Sequence, residues 1–308
     1  MNEIIITAPA HPLMEDTFVR YGEQVRYMPD ISHQELLILI PHCKGLVVST
    51  RIPINRTLLE KAVNLQWIAR LGSGMDIIDT EFAEKKGIKC FSSPEGNCDA
   101  VAEHALGMLL NLTKKIILAA EEVRDGKWRR EENRGTEIRG KTVGIIGYGN
   151  TGSAFARLLK GFGCNILAYD KYKSGFQHDN VLESTLPELM KHSDIISIHL
   201  PLNAETRQLV NPSFFQSMKK SGFFINTSRG EIVDEDALIA ALQHKQVKAA
   251  ALDVLENEKI NSLTEAQKVR FQFLASQPNV ILTPHIAGYS VESYYKMAQI
   301  LLQKLGYK

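Results

Sequence analysis

Short apolar runs recur along this chain, each followed by a longer amphipathic stretch. EIIIT, GLVVS, LQWIARL and GIKCF alternate with segments such as PINRTLLEKAV and DTEFAEKKG. A strand pattern followed by a helix pattern, repeated at this spacing, implies βαβ units around a parallel sheet, because parallel neighbours need a crossover long enough to hold a helix.

The rhythm changes after Phe91. SSPEGN reads as a loop, and DAVAEHALGMLLNLTKKIILAAEEVRDGKW then sustains helical periodicity far beyond a simple crossover, as two helices leading from a first domain to a second. Alternation resumes at KTVGIIGYGNTG and continues through NILAYD, DIISIHLP, SGFFINTS, VKAAALDV and NVILTP, a set of strand candidates that suits a doubly wound dinucleotide fold. The tail SVESYYKMAQILLQKL is one amphipathic helix, too short for a further domain and expected to pack back on the first. The predicted fold is therefore α/β: two Rossmann-like or flavodoxin-like domains with doubly wound parallel sheets, the second (residues 98–285) inserted into the first (1–97 with 286–308). The length of 308 residues agrees with two domains at about 150 residues each.

Composition narrows the partners. Thirty-six Lys and Arg against thirty-five Asp and Glu leave a formal charge of +1, with no basic block to track a phosphate backbone, so nucleic acid is not the expected partner. Cys43, Cys90, Cys98 and Cys164 form no C-x-x-C pair, and a core of this size needs no disulfide staples. Glu3 stands where a signal peptide would carry positive charge, and no segment approaches the ~20 apolar residues of a membrane span. A soluble cytoplasmic protein, with no membrane partner and no metal, is expected.

VGIIGYGNTG follows a buried-strand pattern and precedes the helical SAFARLLKGFG. In such a G-x-G-x-x-G turn Gly147 permits the tight bend, Gly149 lets backbone approach a pyrophosphate, and Gly152 lets helix pack close to strand, with Asn150 and Thr151 opening the helix. Asp170 ends the next strand pattern, where an acid accepts hydrogen bonds from a ribose 2′-hydroxyl and disfavours a 2′-phosphate. NAD is thus expected over NADP, although Lys171 and Lys173 nearby leave room for the latter.

Ligands of doubly wound sheets lie outside the carboxyl ends of the strands, so polar residues directly after strand patterns are the informative ones. HLP (199–201), NTSRG (226–230), DVLENE (253–258) and TPHIAG (283–288) contain Arg229, Glu258 and His285. GYGNTG with Asp170, HLPLNAETRQLV, INTSRGEIVDEDALIAAL, AALDVLENE and NVILTPHIAG, in this order, resemble the D-isomer-specific 2-hydroxyacid dehydrogenase family. The likeness extends through VVSTRIPINRTLLEKAVNLQWIARLGSGMDIID and SSPEGNCDAVAEHALGMLL.

The resemblance implies an NAD-dependent oxidoreductase moving a hydride between nicotinamide and C2 of a small anionic D-2-hydroxy or 2-oxo acid, with 3-phosphoglycerate, glycerate and hydroxypyruvate among the substrates to consider. It implies an NAD-binding role for 98–285, a substrate-binding role for the remaining domain, and a homodimer. His285 matches the family's acid/base, Glu258 the carboxylate paired to it, and Arg229 the substrate-binding arginine. These types fit the chemistry: a guanidinium offers two parallel donors to a carboxylate, and an imidazole titrates near neutrality. Glu256 competes with Glu258 for the carboxylate role, and Lys259 stands where the family usually has proline.

His199, Pro201 and Thr206 resemble the adenine-side wall, and Thr227 and Asp253 the nicotinamide side. Ser73 and Gly74 in RLGSGMD, with Arg51 and Asn97, match positions near the substrate. His104, on the long helix, is read as structural. NSLTEAQKVRFQFLASQ departs from the short family loop and carries Thr264 and Gln267 at capping-box spacing before a helical pattern, as a lid or an interface helix. Some relatives in the family bind NAD and act mainly through protein partners, so an NAD(H)-binding, co-repressor-like protein is the alternative function.

Overall fold

The computed structural model describes residues 3–308; Met1 and Asn2 lie outside the described residues. Two compact units emerge, one comprising the residues up to Cys98 with Gly288–Lys308, the other Asp99–Ala287.

In the first unit β1 (Glu3–Ile6), α1 (Pro12–Arg20), β2 (Val25–Tyr27), α2 (His33–Leu39), β3 (Cys43–Val48), α3 (Arg56–Lys61), β4 (Trp67–Arg70), α4 (Thr80–Lys85) and β5 (Lys89–Ser92) alternate. The described strands form one parallel sheet in the order β2-β1-β3-β4-β5. Side chains alternate across it: Ile5, Leu46 and Ile68 face α2 and α3, while Ile4, Ile6 and Val47 face Met14 and Phe18 of α1. That second face also takes Ala298, Leu301 and Leu302 from the last helix of the chain. Both faces are covered, which is why the strands read as continuous apolar runs instead of alternating ones.

The helix α5 (Pro94–Lys114) ends at Lys115, whose φ of 55° stops it before α6 (Ile116–Arg124). The second unit continues with β6 (Thr142–Ile146), α7 (Asn150–Lys160), β7 (Asn165–Tyr169), β8 (Val181–Glu183), α8 (Leu186–His192), β9 (Ile195–Ile198), α9 (Pro212–Ser217), β10 (Gly222–Asn226), α10 (Glu235–Gln243), β11 (Val247–Leu252), α11 (Glu265–Ser276) and β12 (Val280–Leu282). Its described strands are all parallel, in the order β12-β11-β10-β9-β6-β7-β8. The order reverses between β9 and β6, so the crevice at the carboxyl ends of these two strands is the place where such a sheet takes a ligand. The C-terminal helix α12 (Val291–Lys304) belongs to the first unit.

Two strands, β2 and β8, go beyond the sequence expectation. Each is three residues long and lies at a sheet edge, with only Val181 of the six residues buried. VRY and VLE each mix apolar with charged residues at an edge with one neighbour, so neither carries an apolar signature to read. NSLTEAQKVRFQFLASQ forms α11, whose capping box between Thr264 and Gln267 is present and whose Leu274 is fully buried.

Candidate active site

At the end of β6, Gly147 has a φ of 95°, and a Cβ there would overlap the His199 carbonyl. Gly152 is closed to a Cβ by the Gly147 carbonyl, whereas one on Gly149 would meet nothing within 4 Å. Gly149 is also the N-cap of α7, and no side chain bonds the first-turn amides that Asn150 and Thr151 open. Packing thus demands the outer two glycines, while the middle one fronts open space before uncapped N–H groups. Those features fit a diphosphate.

Asp170 follows β7. Its Oδ2 accepts from the Tyr148 amide at 2.9 Å, and Oδ1 accepts from the amides of Tyr172 at 2.9 Å and Lys173 at 3.1 Å. These bonds fix the carboxylate beside the glycine loop. Lys171 donates to Glu205 at 2.8 Å and Lys173 to the Tyr148 carbonyl at 3.3 Å, so both lysines have protein acceptors of their own.

His199 ends β9 inside the fold. Its Nε2 lies 2.9 Å from Ser197 Oγ, its ring centroid lies 5.5 Å from that of Phe155, and burial pushes the imidazole down to about 4. A neutral, enclosed ring suits packing behind the glycine loop and not proton transfer. The following loop is pinned by Thr206 Oγ1, which donates to the Pro201 carbonyl at 2.6 Å. After β10, Thr227 is buried with an Oγ1 that has no partner among the described residues.

Loops from three adjacent strands carry the remaining residues. After β10, Asn226 and Ser228 shape the turn bearing Arg229: the Ser228 amide donates to Asn226 Oδ1 at 3.0 Å, Asn226 Nδ2 donates to the Arg229 carbonyl at 2.9 Å, and Arg229 Nη1 donates to the Ser228 carbonyl at 2.7 Å. Gly230 packs so closely that a Cβ would overlap the Leu255–Glu256 peptide, which locks this turn to the loop after β11.

Asp253 opens that loop and is buried at 1% exposure. Its Oδ1 accepts from Thr283 Oγ1 at 2.6 Å and the Ile286 amide at 2.9 Å, and Oδ2 accepts from the Ala287 amide at 2.8 Å. The His285 amide donates to the Asp253 carbonyl at 2.8 Å. Asp253 therefore clamps the turn after β12 on both sides of His285, whose own φ is 55°. A non-glycine residue in that region stores strain of about 1 kcal/mol or more, so the clamp is what keeps the imidazole presented.

Glu258 Oε2 lies 2.9 Å from His285 Nδ1, and the imidazole and carboxylate are only partly covered, at 30% and 44% exposure. With Nδ1 engaged by the carboxylate, Nε2 is left to meet a ligand; no hydrogen bond of that atom occurs among the described residues. Glu256, the competing acid, is turned toward Arg270 at 3.1 Å. A groove of about 980 Å³, lined by Glu258, His285, Phe271, Ile281, Leu118 and Lys115 among others, runs from this pair along α11 and β12.

Within the first unit, Ser73 Oγ donates to Asn97 Oδ1 at 2.8 Å, bringing those two side chains together, while Arg51 Nη2 donates to the Thr7 carbonyl at 2.8 Å. Gly74 follows Ser73 in the same partly buried loop after β4. The described residues hold no group of three or more His, Cys, Asp and Glu side chains placed to share a metal ion, and no helix long and apolar enough to cross a membrane.

Sequence reasoning passed over two participants. His104 Nε2 lies 3.1 Å from Thr283 Oγ1 and 3.5 Å from Asp253 Oδ1, so it joins the clamp instead of merely packing on its helix. Thr283 links them. The only signal was a histidine inside an otherwise apolar helix pattern, AEHALGMLL, where an imidazole needs a polar partner.

Comparison with known proteins places the chain among relatives of one family. A family model described as D-isomer specific 2-hydroxyacid dehydrogenase, NAD binding domain, matches residues 106–287. The chain is 33% identical over 305 residues to a D-3-phosphoglycerate dehydrogenase of Archaeoglobus fulgidus, covering 98% of this chain and 56% of that protein. It is 36% identical over 276 residues to a hydroxypyruvate reductase of Thermotoga maritima, covering 89% of this chain and 88% of that one. It thus spans about half the length of the first of these. Among solved structures, a D-lactate dehydrogenase from Aquifex aeolicus complexed with NAD and lactic acid superposes with a TM-score of 0.87 at 27% identity, covering 99% of this chain and 94% of that one.

Proposed function

The chain belongs to the D-isomer-specific 2-hydroxyacid dehydrogenase family, with residues 106–287 matching its NAD-binding domain, and from that premise we propose that it interconverts a small anionic 2-oxo acid and the corresponding D-2-hydroxy acid. The observation that carries this reading is the Glu258–His285 pair at 2.9 Å, held by a buried Asp253 clamp at the carboxyl edge of a sheet whose glycine loop fits a dinucleotide.

Gly147–Gly152 would hold the diphosphate, Asp170 the adenosine ribose, and Thr227 and Asp253 the nicotinamide side, with His199, Pro201 and Thr206 forming the adenine-side wall. The carboxylate at Asp170, together with lysines already engaged by Glu205 and Tyr148, favours NAD over NADP. Bound there, the dinucleotide supplies or accepts the hydride at substrate C2.

The protein's own groups do the rest. Arg229 binds the substrate carboxylate through two parallel N–H donors and polarises the adjoining carbonyl. Protonated His285 gives its Nε2 proton to the carbonyl oxygen as the hydroxyl forms, and takes it back in the reverse direction. Glu258, on Nδ1, fixes the tautomer and stabilises the imidazolium. In the first unit, Ser73, Gly74, Asn97 and Arg51 are assigned to the substrate's carboxylate and polar end.

A second copy of the chain is the proposed partner. Ile116 and Val123, seven residues apart on α6, stand 53% and 51% exposed, and Trp128 after it 79%, large apolar side chains that solvent disfavours.

Nicotinamide absorbance followed with NADH or NADPH against glyoxylate, hydroxypyruvate, 3-phosphohydroxypyruvate, pyruvate and 2-oxoglutarate tests the reading. Turnover with a 2-oxo acid and NADH is expected. Tight NADH binding with no turnover on any of the five would overturn the enzymatic reading in favour of a nicotinamide-binding protein.

A further inference from the structure

Glu258 lies in an irregular loop between β11 and α11, yet its carboxylate must meet one nitrogen of His285. What fixes that loop is a set of side-chain hooks from its neighbours. Arg270, at 18% side-chain exposure, reaches Glu256 Oε2 with Nη2 at 3.1 Å, Asp236 Oδ2 with Nη1 at 3.1 Å, and Glu235 Oε2 with Nε at 3.4 Å. Glu235 Oε1 in turn accepts from the Glu256 amide at 2.8 Å. The backbone and side chain of Glu256 are thus both tied, and Arg270 touches both anchors.

The next residue is tied as well. Asn257 Nδ2 donates to Gln267 Oε1 at 3.2 Å, the same oxygen that accepts from the Thr264 amide at 3.0 Å in the capping box of α11. Asn257 Oδ1 accepts from the Lys259 amide at 3.0 Å. Glu258 is flanked by fixed residues, and its own carboxylate is left for His285.

We propose that Arg270 is a positioning residue for the Glu258–His285 pair, so that α11 works as the brace of the loop carrying Glu258. This rests on the dehydrogenase reading above for its kinetic consequence, though not for its geometry. The guanidinium is suited to bracing because it directs one donor to each of Glu256 and Asp236 and sets its charge beside Glu235, three carboxylates that would otherwise repel one another. Without it the half-buried cluster loses its only cation among these contacts, and Glu256 is released to solvent. Burial already pushes the Glu235 carboxyl upward, with the Glu256 charge adding and Arg270 opposing.

The test is a double-mutant cycle of Arg270→Gln and Glu258→Gln in the full chain. In the Glu258 background Arg270→Gln is expected to lower kcat on the order of 10-fold, the scale of a sub-ångström to ångström displacement of a reacting group, with the KM for NADH unchanged. In the Glu258→Gln background the same substitution is expected to change kcat hardly at all, because its effect passes through Glu258. Arg270→Lys, which keeps the charge but not the fork, is expected to recover part of the loss.

An Arg270→Gln enzyme with wild-type kcat, or one that loses equally in both backgrounds, overturns the proposal. A readout without turnover runs beside it: the His285 ring nitrogen resonances, identified by their loss in His285→Asn, are expected to move in Arg270→Gln toward their positions in Glu258→Gln. Unmoved resonances overturn the positioning role. Absence of wild-type turnover would refute the functional reading while the resonances still decide this one, and thermal melts separate either result from misfolding.

Discussion

Asp253→Asn is the substitution that most sharply separates holding His285 in place from doing chemistry with it. The carboxylate, 1% exposed, accepts from Thr283 Oγ1, the Ile286 amide and the Ala287 amide. An asparagine can keep its carbonyl oxygen at the Oδ1 position and retain the first two acceptor bonds, but its NH2 then faces the Ala287 N–H, donor against donor. One buried donor left unsatisfied costs about 1–3 kcal/mol, and two charge-assisted bonds reduced to neutral ones cost about 1 kcal/mol each. Removing a buried charge returns part of this. The net is about 3 kcal/mol, or roughly 6–12 °C in Tm for a unit of this size.

Glu258→Gln serves as the control, since its carboxylate is 44% exposed and its substitution should cost under about 0.5 kcal/mol. Urea and thermal unfolding followed by far-UV circular dichroism measure both. If Asp253→Asn unfolds within about 1 kcal/mol of wild type, the clamp is not what holds the His285 turn against its left-handed strain, and the reasoning fails.

Other expected outcomes follow from the same geometry. Gly149→Ala should leave the melting curve nearly unchanged while weakening NADH binding measured by fluorescence titration, whereas Gly147→Ala, at φ 95° and against the His199 carbonyl, should destabilise the fold itself. His199, pushed down to about 4 by burial, stays neutral in the folded state where the unfolded imidazole at about 6.5 is charged, so the unfolded state binds more protons between those values. Stability should therefore fall as pH drops from about 6.5 to about 4, by about 3 kcal/mol from this group, and urea titrations of His199→Gln should show a shallower decline over that window. His285→Asn should abolish turnover with NADH affinity nearly intact; retained turnover sinks the acid/base role. Light scattering should show Trp128→Glu with Val123→Glu as a smaller species than wild type, and unchanged mass would refute the placing of the second copy against those side chains.

How much of this was legible in the sequence follows from burial. Strands covered on both faces, such as Ile195–Ile198 and Gly222–Asn226, announce themselves as apolar runs, because every residue meets a helix or a neighbouring strand. Val25–Tyr27 and Val181–Glu183 do not, because VRY and VLE each mix apolar with charged side chains and bury only Val181, so neither shows the apolar run that marks Val280–Leu282. The candidate site divides in the same way. Residues placed by a strand end, Asp170, Arg229 and His285, stand where position marks a polar side chain as a candidate, and the family resemblance supplies the roles expected of them. His104 and Arg270 do not: each lies on a helix remote in sequence from what it touches, and nothing in a linear pattern joins position 104 to 253 or 270 to 256.

The side-chain contacts that no linear pattern joins also determine the geometry. β12 is a three-residue edge strand, only partly buried, and the residue it presents sits at a φ that costs energy. Such a strand cannot by itself hold an imidazole to within hydrogen-bond tolerance of a carboxylate on another loop. The restraint is instead divided among three contacts. Asp253 fixes the backbone around His285, Gly230 fixes the loop after β11 to the turn of Arg229, and α11 fixes the two residues that precede Glu258. Each restraint acts on a different segment, so removing one should loosen one partner of the pair and leave the other in place. Asp253→Asn ought to disorder His285 with Glu258 still braced, and Arg270→Gln ought to do the reverse; hydrogen exchange at the amides of Ile286 and Ala287 against those of Glu256 and Lys259 distinguishes the two, and a variant that raised exchange equally at both would show the restraints to be one cooperative unit.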